Sequence, residues 1–329
     1  MNFDSTFFSK YSDNETVVKA KFLQDVLKGL SSSPKYLDSK YFYDHAGDKI
    51  FQQIMHSPEY YPTNCELEIL SEQTAAILQL ILKRHTEFDL IELGAGDALK
   101  SSYLLKFLAE KKVAFTYYPI DISANVIAGL VNKLPNQIPG LAIEGLNGEY
   151  FNMLKKAGTL SDKPKLVLFL GSNIGNMFPD EALKFCKSLK DHLRPGDLLL
   201  IGFDLKKDPK TVLAAYNDKQ GFTRNFNLNL LSRINKELGA NFNIPAFQHY
   251  PTYNPESGAC ESYLVSREDQ QVQIGNHTIS FNQHEAIHME ISQKYTLRQI
   301  NDLAKAAGFV PVEYYLDSKG WFVDAVWAV

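Results

Sequence analysis

The stretch Leu90-Ile91-Glu92-Leu93-Gly94-Ala95-Gly96-Asp97-Ala98-Leu99-Lys100-Ser101 constrains this chain more than any other. An apolar run of buried-strand type ends in an acid and two glycines, then gives way to a helical pattern. An α/β sheet builds a nucleotide-sized pocket in this way, at the carboxyl edge of its first strand. Gly94 and Gly96 allow close backbone approach and positive φ, and the helix that follows offers unpaired N–H groups to a carboxylate or phosphate. A glycine pair alone also serves plain tight turns. No third glycine stands where the dinucleotide fingerprint requires it, so other segments must identify the nucleotide.

A second acid follows. Thr116-Tyr117-Tyr118-Pro119-Ile120-Asp121-Ile122-Ser123 reads as a strand ending at Asp121. A carboxylate there can accept from both ribose hydroxyls; the competing reading is a cap for the helix opening near Ser123. A third strand around Leu141-Ala142-Ile143-Glu144 leads to Gly148-Glu149-Tyr150, where adenine recognition falls. The apolar runs 165–170 and 198–203 supply a fourth and a fifth. Strands alternating with helical segments give a parallel, doubly wound sheet.

The last segments close that sheet. Thr296-Leu297-Arg298-Gln299 is a capping box, opening a helix with Leu297, Ile300, Leu303, Ala304 and Ala307 on one face. Gly308 stops it, and strands over 310–315 and 322–328 flank the turn Asp317-Ser318-Lys319-Gly320. A terminal hairpin on a parallel sheet resembles the common S-adenosylmethionine-dependent methyltransferase fold rather than a dehydrogenase. With Glu92 before the glycines, it selects S-adenosylmethionine over NAD, with no metal. The expected fold class is α/β: a doubly wound Rossmann-like sheet with a terminal antiparallel hairpin, plus a second α+β substrate-binding domain.

Composition narrows the partners. The 329 residues carry a net charge of -4, which gives no basic field for nucleic acid. No stretch reaches the apolar length that spans a membrane, and the first residues lack the order of a signal peptide. Cys65, Cys186 and Cys260 are scattered, as reduced thiols of a cytoplasmic protein are, and Cys186 falls on the packed face of an amphipathic helix. The expected partner is a small molecule; the oligomeric state stays open, with a monomer compatible.

Thr63-Asn64-Cys65-Glu66 reads as a capping box opening the first core helix. Residues 206–293 interrupt the core between the fifth strand and the last helix, and loops that long without structure are uncommon. We therefore expect 63–205 with 294–329 to form the methyltransferase domain, and 1–62 with 206–293 to fold together as a substrate-recognition domain. Its Tyr216-Asn217-Asp218, Phe222, Asn225-Phe226-Asn227 and Asn229 suit a small polar ligand with an apolar or cationic part.

Five motifs in order carry a resemblance over nearly the whole chain. They are Tyr41-Phe42-Tyr43-Asp44, Pro58-Glu59-Tyr60-Tyr61-Pro62-Thr63, Gly171-Ser172-Asn173-Ile174-Gly175-Asn176, Tyr216 through Asn229, and Met289-Glu290-Ile291-Ser292-Gln293-Lys294-Tyr295. Together they resemble the histidine-specific methyltransferases of ergothioneine biosynthesis. The resemblance implies trimethylation of the α-amino group of L-histidine to hercynine, with the amino acid held between the cofactor core and the inserted domain. It gives the histidine carboxylate to Asn176 and Tyr216 with Tyr60 beside it, the α-amine to Tyr43 and Phe51, and the imidazole to Glu290 and Ser292. Tyr43 would relay the amine proton. Positions Gly94, Gly96, Lys100, Asp121, Glu149 and Tyr150 match the cofactor site. Two departures stand out: Gly148-Glu149-Tyr150 replaces the usual Gly-Asp-Phe, and Ser262 stands where a methionine is common beside the imidazole, which makes room in the pocket.

A catalytically idle S-adenosylmethionine-binding protein is one competing reading, and two others assign a different chemistry. One keeps the fold and takes another aromatic amino acid, such as tryptophan, or a different imidazole amine. The other is a zinc hydrolase, because His284-Glu285-Ala286-Ile287-His288 matches H-E-x-x-H. That chemistry needs a helix. Here Ile287, Met289 and Ile291 alternate with His288, Glu290 and Ser292, the period of a strand, and both histidines are expected as exposed residues where the strand begins.

Overall fold

The computed structural model describes residues 5–329, with side chains described from Val18 onward. The chain runs α1 (Ser5–Leu30), β1 (Lys35–Tyr36), α2 (His45–Met55), α3 (Tyr61–Glu72), α4 (Thr74–Leu82), β2 (Glu87–Leu93), α5 (Ser102–Glu110), β3 (Ala114–Asp121) and α6 (Ala124–Gln137). It continues through β4 (Ala142–Ile143), β5 (Leu146–Asn147), α7 (Tyr150–Leu160), β6 (Lys165–Phe169), α8 (Pro179–Asp191), β7 (Leu198–Asp204), α9 (Pro209–Ala215) and α10 (Phe222–Leu238). The remainder is β8 (Phe247–Tyr253), β9 (Ala259–Ser266), β10 (Gln270–Ile274), β11 (His277–Phe281), β12 (Ala286–Gln293), α11 (Leu297–Ala306), β13 (Val310–Leu316) and β14 (Phe322–Ala328). Two compact units result, Met1–Tyr60 with Asp208–Ile291 and Tyr61–Lys207 with Ser292–Val329.

The larger unit carries an eight-stranded sheet in the order β13-β14-β7-β6-β2-β3-β4, with β5 also paired to β3. Strands β2 through β7 run parallel, while β14 lies antiparallel to both β7 and β13. This is the expected α/β sheet, doubly wound with a terminal antiparallel hairpin. Strands β6 and β7 are buried along their whole length because helices cover both faces, which is why they read as unbroken apolar runs. At the hairpin edge the fully buried Trp327 ring lies 5.7 Å from Phe203 and 5.5 Å from Phe309. The Thr296 capping box forms, with Gln299 N–H donating to Thr296 Oγ1 and Thr296 N–H to Gln299 Oε1. Cys186 is buried on α8, and burial pushes its thiol up to about 12. No described helix is long and apolar enough to cross a membrane.

Three local expectations need correction. The helix expected at Thr63 starts at Tyr61, and Glu66 does not fold back to cap it. Its carboxylate turns inward to the Gly171 N–H, a tertiary bond that outcompetes the local one. The third strand is two short pieces, β4 and β5, broken at Gly145, where a Cβ would overlap Ile127. Leu297, placed on the apolar face of α11, is 41% exposed in its first turn.

The smaller unit has a four-stranded sheet, β1-β12-β9-β8, and the hairpin β10-β11. Along β9 buried and half-buried residues alternate, as they do through most of β12, and Leu264, Ile287 and Met289 share a core with Phe226, Leu230, Leu231 and Ile234 of α10. Because β12 is a strand, His284 and His288 cannot share a helical face. His284 is exposed at φ 70°, but His288 is half-buried beside Glu261 at 3.4 Å, so the expectation of two exposed histidines fails for the second. Among the described residues no three His, Cys, Asp or Glu side chains group as a metal site.

The packing makes a contrast testable. Trp327→Ala should cost about 3–5 kcal/mol through an unfilled cavity, whereas Leu297→Ala should stay within about 0.5 kcal/mol. Urea unfolding of both variants checks this, and equal losses would contradict the placement of the core.

Candidate active site

In the larger unit the candidate residues gather where the parallel strands end. After β2 the backbone turns sharply through Gly94 (φ 73°) and Gly96 (φ 53°), and Ala98 also takes a positive φ of 54°. Helix α5 therefore begins only at Ser102, later than the glycine pair suggests. Asp121, at the end of the adjacent β3, accepts the Gly96 N–H on Oδ2 at 3.2 Å and the Ser123 N–H on Oδ1 at 2.9 Å. It thus joins two neighbouring strand ends, while Ser123 itself caps α6 by accepting from Val126 N–H.

The next loop closes on the same edge. Asn147 Nδ2 donates to the carbonyls of Asp121 and Ile122 at 3.0 and 2.9 Å, and Gly148 N–H donates to the Asp121 carbonyl at 3.0 Å. Glu149 and Tyr150 are thereby brought beside Asp121. Glu149 is exposed ahead of α7, whereas the Tyr150 hydroxyl lies where a Cβ at Gly94 would sit, 2.8 Å away, so that position tolerates only glycine. Burial pushes the Tyr150 phenol up to about 12. Glu92 serves the interior: Tyr117 O–H donates to its carboxylate, and burial pushes it up to about 7 although Ser101, Tyr117 and Lys100 favour its charge. Lys100 pairs with Glu66.

Asn176 ends the turn Asn173–Asn176 beyond β6, exposed, after Ser172 in the left-handed region at φ 55°. That turn packs closely on the end of β12, because a Cβ at Gly175 would lie 2.9 Å from the Gln293 carbonyl. The neighbouring Ser292 is buried, and its Oγ accepts from Lys294 Nζ at 2.8 Å. Lys294 in turn pairs with the buried Asp204 at 2.7 Å.

The smaller unit holds the other candidates. Tyr43, 43% exposed, meets Phe51 edge-on at 5.6 Å, and Phe226 of α10 lies 5.6 Å from Tyr43 and 5.7 Å from Phe51. The Tyr43 loop is tied to α10, since Asn229 Nδ2 donates to Asp44 Oδ1 at 2.8 Å and Asp44 caps α2 through the Gly47 N–H. Tyr60 and the buried Tyr216 meet edge-on at 6.1 Å. Half-buried Glu290 accepts from Asn227 Nδ2 at 3.2 Å, and the same amide donates to the Thr223 carbonyl at 3.0 Å. The His249 ring stands against Ser262, Nε2 to Oγ 3.4 Å, and burial holds that imidazole neutral, down at about 4.

Sequence reasoning placed Phe226 and Asn227 in a ligand-suited segment without giving either a role, and it missed Glu66 and Lys294 as partners. Only the polar residues Asn227 and Asn229, on a helix whose neighbours Phe226, Leu230 and Leu231 are core, hinted at an inward polar function.

The protein family described as histidine-specific, S-adenosylmethionine-dependent methyltransferase matches residues 22–329. The histidine N-alpha-methyltransferase of Mycobacterium tuberculosis is 34% identical over 304 residues, 91% of this chain and 92% of its own length. The ergothioneine biosynthesis protein 1 of Neurospora crassa is 32% identical, covering 85% of this chain but 32% of that longer protein. The L-tryptophan methyltransferase of Psilocybe serbica is 28% identical over 90% of both chains.

The glycine turn, with backbone drawn against Tyr150 and Asp121 at its rim, fits S-adenosylmethionine. Asp121→Ala should weaken S-adenosylmethionine binding by about 1–3 kcal/mol, by leaving ligand hydroxyls without a charged acceptor. Calorimetry on the folded variant checks this, and unchanged affinity would remove Asp121 from the site.

Proposed function

The chain belongs to the histidine-specific, S-adenosylmethionine-dependent methyltransferases, and on that premise we propose that it methylates the α-amino group of L-histidine through to the trimethylated product, hercynine. The observation that carries this reading is Glu290, a carboxylate whose Oε1 is held by Asn227. So fixed, it can accept an imidazole N–H by a charge-assisted bond. Ser292, two residues along β12, takes the other ring nitrogen in this reading. Asn176 and Tyr216 take the carboxylate with Tyr60 beside them, and Tyr43 and Phe51 face the amine.

When bound, S-adenosylmethionine supplies an electrophilic methyl group; Gly94, Gly96, Lys100, Asp121, Glu149 and Tyr150 are the residues assigned to hold it. The rest falls to this chain's own side chains. An α-ammonium has no lone pair, so the site must take up its proton before it can react. Tyr43, 43% exposed, relays that proton to water through its hydroxyl in this reading. Each methylation removes one N–H donor and the last leaves a permanent cation. The Tyr43, Phe51 and Phe226 rings tolerate such a charge through cation–π attraction of about 0.5–2 kcal/mol.

A second reading keeps fold and cofactor and changes the amino acid to tryptophan; the likeness to the Psilocybe protein supports it. Glu290 and Ser292 together separate the two, since an indole offers one donor for the carboxylate and no acceptor for the Ser292 hydroxyl. Glu290→Ala should lower kcat/KM for histidine by about 10- to 100-fold, with a much smaller loss for tryptophan. An unchanged histidine-to-tryptophan ratio would mean that the imidazole is read elsewhere.

The carboxylate contacts have their own test. Asn176→Ala and Tyr216→Phe should raise KM for histidine while leaving S-adenosylmethionine affinity unchanged, and histamine should be a very poor substrate. Methylation of histamine at the rate of histidine would refute these assignments.

A further inference from the structure

Beneath the glycine turn, wholly within the larger unit, charged side chains meet that the proposed chemistry leaves unexplained. Glu66 of α3 is fully buried. Its two oxygens accept the Gly171 N–H at 2.7 and 2.9 Å, and Oε2 pairs with the Lys100 ammonium. One carboxylate therefore ties the loop after β2 to the loop after β6. Asp324 of β14, also fully buried, lies opposite Gly202 of β7. A Cβ at Gly202 would overlap Glu66 Oε1, so the Glu66 carboxylate occupies the space that any other residue would need. Glu92 is a third buried acid near the same lysine.

No N–H or O–H of another described group donates to either Asp324 oxygen. A buried carboxylate without donors, beside a second carboxylate, is far costlier than a neutral acid that donates its own proton. We propose that Glu66 is a positioning residue of the cofactor site, holding Lys100 and the Gly171 amide through one anionic carboxylate, and that Asp324 is a neutral acid whose O–H donates to Glu66. Burial, reinforced by the Glu66 charge, pushes the Asp324 carboxyl well above the usual carboxylate range, with Lys100 opposing. The inference rests on the assignment of Lys100 to the S-adenosylmethionine site.

Calorimetric titration of the whole protein with S-adenosylmethionine tests it. Glu66→Gln keeps an acceptor for Gly171 but loses the charge that holds Lys100, so the dissociation constant should rise by at least about tenfold. Asp324→Asn keeps a neutral donor toward Glu66 and should shift it by less than about threefold. The reverse ranking would exchange the two roles and overturn the proposal. Lys100→Met examines the underlying assignment separately: wild-type affinity there would take Lys100 out of the cofactor site. If Lys100→Met weakens binding, the double variant Glu66→Gln/Lys100→Met should bind no more weakly than the weaker single variant. Full additivity would mean that Glu66 does not act through Lys100. The infrared difference spectrum, wild type minus Asp324→Asn at neutral pH, should show the C=O stretch of a protonated carboxylic acid. Its absence overturns the neutral acid, whether or not Glu66→Gln folds.

Discussion

The buried carboxylate of Asp204 is the interaction on which much of the larger unit depends. It accepts from the Tyr61 hydroxyl at 2.8 and 3.0 Å, pairs with Lys294 at 2.7 Å and pairs with Lys207. Tyr61, Lys207 and Ser292 are the residues at which the chain enters or leaves this unit, and Lys294 reaches both Asp204 and Ser292. All three passages are thus anchored to one acid at the end of β7. Burial pulls the Lys207 ammonium down while Asp204 opposes that shift, so the pairs hold each other in place. Removing one partner of such a buried set leaves an uncompensated charge, costing about 3–5 kcal/mol.

The second organising device is a line of hydrogen bonds between loops at the carboxyl edge of the sheet. Asp121 takes the Gly96 amide, the Asp121 carbonyl takes Asn147 and Gly148, and Glu66 takes Gly171. Each bond joins the loop after one strand to another element at that edge. Loops satisfied in this way can present backbone N–H groups to a ligand without collapsing onto one another.

Much of the sheet was legible in the sequence, because strands buried on both faces, β6 and β7 above all, leave nearly unbroken apolar runs. The order of acids and glycines at their ends was legible for a related reason: a chain must turn at a strand end, and Gly94 and Gly96 permit it. What could not be read were bonds whose partners lie far apart. Thr63-Asn64-Cys65-Glu66 has the letters of a cap, yet Glu66 serves Gly171 and Lys100. Ala98 and Ser172 adopt positive φ without being glycine, which tertiary contacts impose and composition conceals. Nothing around Ser262 announced its neighbour His249, which belongs to another strand.

The smaller unit is assembled from two separated stretches, and this sets the order in which it can form. The Tyr41 carbonyl waits for Arg233, 192 positions later, and Asp44 waits for Asn229, 185 positions later. During synthesis the ribosome therefore releases α2 long before the helix that completes its packing exists. The sheet of the larger unit waits as well, since β14, the partner of β7, is made only after all of α10 and β12. Neither unit can close vectorially behind the ribosome; both complete their long-range contacts late, with apolar faces meanwhile exposed to chaperones or to one another.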